Sequence, residues 1–148
     1  MIAVVAPAKI NLFLRICGKT DAGYHLLDSA IAFTRFGDHL KIEPANDDRL
    51  TTIGEFAVEL DSADDNLVMT ALRGFRTAGG VIGGLSITLE KNIPVGAGLG
   101  GGSADAAAFL RAVNALSSMP LGKDALNRLA ASLGADVLVC LAGGCQRI

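Results

Sequence analysis

Pro94-Val95-Gly96-Ala97-Gly98-Leu99-Gly100-Gly101-Gly102-Ser103-Ala104-Asp105 follows a run that alternates apolar and polar residues and precedes an alanine-rich run. It therefore reads as a glycine loop between a strand and a helix. Without a Cβ, successive glycines let their backbone N–H groups turn inward as an anion nest. The helix that follows adds its unpaired N-terminal donors and the positive end of its dipole. The loop suits a phosphate, with Ser103 either capping the helix or offering its hydroxyl to a phosphate or a divalent cation.

Spacing sorts the loop types that bind phosphate. A Walker A loop ends in Gly-Lys-Ser/Thr, and here Gly102 runs straight into Ser103-Ala104. The dinucleotide string G-x-G-x-x-G is met by Gly96, Gly98 and Gly101, but the acid-tipped strand it needs further on is replaced by Met119-Pro120-Leu121-Gly122-Lys123-Asp124, a turn entering a helix.

On the N-terminal side, residues 2–16 are rich in β-branched and large apolar side chains, and Pro7 splits them into two short strands or a strand and a bend. In extended chain Lys9 and Asn11 share a face. Residues 21–25 read as a turn, 26–36 as a strand, Gly37-Asp38 as a turn and 39–43 as a further strand. Residues 50–53 and 56–60 suggest a hairpin of edge strands. Asp65 is a cap for a helix starting near Asn66, with Leu67, Val68, Ala71, Leu72 and Phe75 on its apolar face and Gly79-Gly80 ending it. The half-buried strand is 85–91. After the loop, 104–116 and 124–133 read as helices, the second ended by Gly134, and 137–141 as a final short strand.

The chain of 148 residues allows one domain on the usual scale of roughly 100–200 residues. Hydrophobic residues make up 51% and charged residues 19%, which excludes a disordered or fibrous chain. A formal net charge of −2 provides no general field for nucleic acid or an anionic membrane, so any anion site is local. Cys17, Cys140 and Cys145 form no C-x-x-C pair. The opening residues lack the basic region of a signal peptide, and no run reaches the ~18 apolar residues of a membrane span. A reduced, cytoplasmic enzyme is the expectation.

The loop resembles the second motif of the GHMP kinases, the small-molecule kinases named for galactokinase, homoserine, mevalonate and phosphomevalonate kinases. Pro7-Ala8-Lys9-Ile10-Asn11-Leu12 is similar to their first motif. Two further stretches, Gly18-Lys19-Thr20-Asp21-Ala22-Gly23-Tyr24-His25-Leu26-Leu27-Asp28 and Gly134-Ala135-Asp136-Val137, resemble one branch of that family, which phosphorylates a cytidine-bearing polyol in the non-mevalonate isoprenoid pathway. The resemblance implies an α+β fold, a mixed, mainly antiparallel sheet covered by helices, equivalent to the N-terminal domain of a GHMP kinase. It implies ATP and Mg²⁺ as cofactors and the 2-hydroxyl of 4-diphosphocytidyl-2-C-methyl-D-erythritol as the acceptor.

Phosphoryl transfer to an alcohol needs charge stabilisation for the moving group and usually a carboxylate to take the hydroxyl proton. Read alone, Asp136 is a turn or capping acid and Lys9 a surface lysine. The resemblance makes Asp136 the catalytic base and Lys9 its partner, holding the carboxylate ionised and offsetting phosphoryl charge. Asn11 is assigned to the substrate, and Tyr24 and His25 to its cytosine, by stacking and by hydrogen bonds to the base edge. Asn66 and Leu67 line the adenine pocket by the same likeness, and Lys91 lies near the nucleotide. Pro94, Gly96, Gly98, Leu99, Gly100, Gly101, Gly102 and Ser103 cradle the phosphates, and Ser103 is the one protein-side candidate for Mg²⁺. Asp105 is either a nucleotide contact or a first-turn acid favoured by the helix dipole. His39 matches no motif and reads as structural.

Family members are about twice as long, so residues 1–148 correspond to the N-terminal ATP-binding domain, with the C-terminal domain absent. Apolar faces meant for that half then invite self-association. The second hypothesis is a catalytically inactive domain that binds a nucleotide or a protein partner. A third follows from the architecture, which a ribosomal RNA-binding domain shares, but the charge and the lack of an Arg/Lys cluster argue against RNA.

Overall fold

The computed structural model describes residues 1–19, 25–59 and 66–147. Along them run β1 (Ile2–Lys19), β2 (His25–Ala45), β3 (Arg49–Ile53), a 3₁₀ turn (Ala57–Glu59), α1 (Leu67–Thr77), β4 (Gly84–Glu90), α2 (Gly101–Leu116), α3 (Lys123–Leu133), α4 (Ala135–Ala142) and β5 (Gln146–Arg147). The sheet order is β1-β2-β4-β3, with β5 also paired to β2. Every pairing is antiparallel except β3 with β4, which is parallel. This is the expected α+β fold, a mixed, mainly antiparallel sheet covered by helices.

Alternation places the core. Leu85, Ile87 and Leu89 of β4 and Leu40 and Ile42 of β2 are buried against Val68, Ala71, Leu72 and Phe75 of α1 and against Ala106, Phe109, Leu110 and Val113 of α2. His39 and Lys41 point the other way and are exposed. The alanines of α2 let it approach the sheet closely, while α3 and α4 add Leu129, Ala130, Val137, Cys140 and Leu141 to the same cluster.

Several local expectations give way to longer-range pairing. Pro7 does not split the first segment. β1 runs through it because the register shifts between Pro7 and Lys9, a bulge that takes up the missing donor. Gly37-Asp38 is not a turn either: β2 continues through both, and Gly37 passes so near β1 that a Cβ there would lie 2.2 Å from the Ala6 carbonyl oxygen.

No hairpin forms at 50–59. β3 pairs in parallel with β4, which requires a crossover, and α1 supplies it. Residues 57–59 close into the 3₁₀ turn instead of a strand. Leu60 and Asp65 lie outside the described residues; the N-cap of α1 is Asn66, whose side chain accepts from the Val68 amide at 2.9 Å. Residues 137–141 are helical. Their buried members, Val137, Cys140 and Leu141, fall at the i, i+3, i+4 spacing of a helix face, and Arg111 of α2 donates to the Cys140 and Leu141 carbonyls at the C-terminal end of α4. A short apolar run does not distinguish strand from helix; packing does.

One ion pair ties α1 to the sheet. Asp48, just before β3, takes both terminal nitrogens of Arg76 in the last turn of α1, and its Oδ1 also accepts from the Leu85 amide at 3.0 Å. Hydrogen bonding from Arg76 is the main reason the Asp48 carboxyl is held below its ordinary value of 3.8. An acid with a lowered folded pKa stabilises above its unfolded value and loses that contribution as pH falls through the folded one. Asp48→Asn therefore costs about 1 kcal/mol in urea unfolding near neutral pH, kept small by partial exposure. The gap to wild type closes as pH falls through the lowered folded value, beneath which the acid, like the amide, is neutral.

Candidate active site

Lys9 is carried by the bulged part of β1 and is 6% exposed. Its Nζ donates to Asn11 Oδ1 and to Asp136 Oδ1, both at 3.1 Å, so the shared face expected of Lys9 and Asn11 is present. Asn11 is held in turn: its Nδ2 donates to Ser29 Oγ at 2.8 Å, and that hydroxyl donates to the Phe13 carbonyl at 2.7 Å. Asp136 stands in the first turn of α4, in place of the helix-to-strand turn that the sequence suggested, and its carboxylate is half exposed. A buried ammonium faces a carboxylate that still reaches solvent, an arrangement that can take a proton from a bound hydroxyl beside a fixed positive charge.

The glycine loop closes over this pair. The Lys9 amide donates to the Leu99 carbonyl at 2.8 Å, and Gly100 is the N-cap of α2 at φ +66°, a conformation few L side chains adopt. A Cβ there would lie 3.2 Å from Lys9 Cε, tighter than an ordinary contact. α2 starts at Gly101, and no side chain caps it. Ser103 is thus inside the first turn and not the cap, its hydroxyl left for a ligand.

Lys91 and Asp105 form a buried ion pair. Lys91 is buried, its Nζ donating to Asp38 Oδ2 and, at 2.8 Å, to Asp105 Oδ2. Burial pushes the Lys91 pKa down, but the two carboxylates outweigh it and the net displacement is upward. Asp105 lies in the second turn of α2 and is 2% exposed, so it is not a first-turn acid serving the dipole. Burial raises its carboxyl to about 7 against the pull of Lys91, and its Oδ1 has no hydrogen-bond partner. Asp38 was missed because Gly-Asp reads as a turn, and with Arg35, His39, Lys41 and Glu43 around it an acid there does not stand out.

The twelve residues assigned above to ATP and Asp136 together line one cavity of about 550 Å³, within the range of small-ligand sites. Tyr24 lies outside the described residues. For His25 the backbone alone is described, paired with Lys19 where β2 begins. Among the described residues no three His, Cys, Asp or Glu side chains group as a metal cage. The Ser103 hydroxyl at the cavity wall suits Mg²⁺ brought in on phosphate oxygens, the usual way this ion binds.

Residues 66–144 match the family described as GHMP kinases N terminal domain. The chain belongs to the GHMP kinases. Among curated GHMP kinases it is 52% identical over 136 residues to the 4-diphosphocytidyl-2-C-methyl-D-erythritol kinase of Parvibaculum lavamentivorans, covering 92% of this chain and 47% of that protein. To the enzyme of that name from Paramagnetospirillum magneticum it is 45% identical over 146 residues, 99% of this chain and 51% of the other. A solved 4-(cytidine 5'-diphospho)-2C-methyl-D-erythritol kinase superposes with a TM-score of 0.82 at 37% identity, over 99% of this chain and 51% of that one. The homoserine kinase of Cytophaga hutchinsonii gives 0.64 at 25% identity, over 99% and 48%. The chain spans about half the length of the curated relatives it matches.

Proposed function

We propose that this chain is the N-terminal, ATP-binding domain of a kinase that phosphorylates the 2-hydroxyl of 4-diphosphocytidyl-2-C-methyl-D-erythritol. The observation that carries the reading is the convergence on one cavity of the glycine loop, the start of α2, which no side chain caps, and Asp136, to which the buried Lys9 donates. The acceptor itself is suggested by the relatives' names and by the Gly-Tyr-His segment.

Asp136 accepts the proton as the hydroxyl oxygen bonds to the γ-phosphorus and the bond from that phosphorus to its bridging oxygen breaks, with ADP as the leaving group. Lys9 donates to Asp136 and faces charge gathering on the transferred oxygens. Asn11, fixed by Ser29, orients Lys9 and offers an amide to the acceptor. The loop amides and the first turn of α2 hold phosphate. Mg²⁺, when bound, offsets charge on the phosphates.

The test is ADP release from MgATP with and without 4-diphosphocytidyl-2-C-methyl-D-erythritol. Acceptor-dependent release is the expected result. A second reading, a non-catalytic domain that binds nucleotide or a protein partner, is favoured by Leu12, Leu14 and Ile16 on β1, which are 64%, 59% and 63% exposed. No acceptor-dependent release, with ADP still bound, would select it.

A further inference from the structure

We propose that Asp38 is a positioning residue for phosphate binding: from the middle of β2 it aims the glycine loop by holding the chain where that loop leaves β4. The inference rests on the nucleotide reading above and deepens it.

Asp38 is fully buried and spends both oxygens on the same short segment. Its Oδ1 accepts from the amides of Asn92 at 2.6 Å and Ile93 at 2.8 Å, and its Oδ2 from the Lys91 ammonium. Asn92 Nδ2 donates to the neighbouring Gly37 carbonyl at 3.3 Å. From β3, Ile53 accepts the Lys91 amide at 2.8 Å. Residues 91–93 are therefore pinned by strands on either side of β4 before the loop begins.

The same ammonium carries the restraint into α2. Lys91 Nζ reaches Asp105 Oδ2, and a Cβ on Gly101 would lie 3.3 Å from that nitrogen, so the charge sits directly behind the first helical residue. Asp38, Lys91 and Asp105 thus tie the loop's entry to the helix that receives it. The loop's far end is held separately, by the Lys9 amide on Leu99. Between the two anchors residues 95–98 are exposed. An anion nest works through the direction of several amides at once, so a small rotation at one anchor misdirects all of them.

Replacing Asp38 by Asn leaves shape and one acceptor but turns a donor toward either an ammonium or the loop amides. Binding of ADP and of adenosine is measured by calorimetry for wild type, Asp38→Asn, Lys91→Met and the double variant Asp38→Asn/Lys91→Met. ADP binding is expected to weaken about tenfold or more in Asp38→Asn, the scale of one lost charge-assisted hydrogen bond, while adenosine binding stays level.

In Asp38→Asn the Lys91 ammonium keeps Asp105 as a partner. Lys91 itself lines the cavity, so the double variant is compared with Lys91→Met and not with wild type. It is expected to bind ADP about tenfold more weakly than Lys91→Met, and that comparison carries the test if Asp38→Asn alone does not fold. Unchanged ADP binding overturns the proposal, as does an equal loss of ADP and adenosine. A double variant that binds ADP as tightly as Lys91→Met shows that Asp38 acts only through the Lys91 charge and also overturns it. A wild-type chain that binds no ADP instead removes the nucleotide reading, and this inference with it.

Discussion

On the proposed function, Asp136→Asn is expected to lower acceptor-dependent ADP release by about 10²- to 10⁴-fold, the range for loss of a positioned general base. The amide matches the carboxylate in shape, and its oxygen can still accept from Lys9, so the site keeps its geometry and loses only its proton acceptor. Lys9 keeps Asn11 as a second acceptor at 3.1 Å, so its ammonium is not stranded in the protein. Dissociation constants for ADP should therefore match wild type. Turnover at the wild-type rate would take Asp136 out of the chemistry, and a parallel loss of ADP binding would mean that the substitution damages the loop.

Lys9→Met is expected to lower kcat by about 10²- to 10³-fold, the usual cost of removing one donor aimed at developing charge. Methionine preserves the apolar stem that packs under Gly100, and the backbone bond from residue 9 to Leu99 does not depend on the side chain. The carboxylate left behind is half exposed and can be hydrated, so the variant avoids the heavy penalty of an unpaired buried charge. Melting temperature should shift little while turnover collapses. Lys9→Arg is not a conservative control, because a guanidinium presents its donors in a fixed planar fork where the lysine ammonium is a compact point charge. A Lys9→Met chain with near-normal kcat and weakened nucleotide binding would reassign Lys9 from the reacting centre to the ground-state phosphate site.

The features readable along the chain are those whose cause is local. The alternation of 85–91 is a period of two imposed by one wet and one dry face, and β4 has that burial pattern. The apolar spacing from Leu67 to Phe75 repeats at helical period, and α1 buries Val68, Ala71, Leu72 and Phe75. The glycine loop was recognisable because close backbone approach and positive φ leave glycine as nearly the only choice, as at Gly100. Those signals, in their order, were enough for the fold class and for the family.

What they left out depends on partners distant in sequence. Residues 137–141 have the composition of a strand, and it is packing against α2, with Arg111 over the end carbonyls, that makes them α4. Pro7 and Gly37 look like breaks until β1 and β2 are laid side by side, where a shift of register absorbs one and close approach explains the other. Lys9 and Asp136 are 127 residues apart, and Lys91 and Asp38 are 53 apart. No pattern along the chain marks Asp38 as the residue that holds the loop, because a buried charge is tolerated only where other elements bring it donors, and that supply exists only once β2, β4 and α2 have packed. Composition and period thus determined the layers and the loop, whereas the pairing of charges, which decides what the loop points at, arose from assembly of the whole sheet.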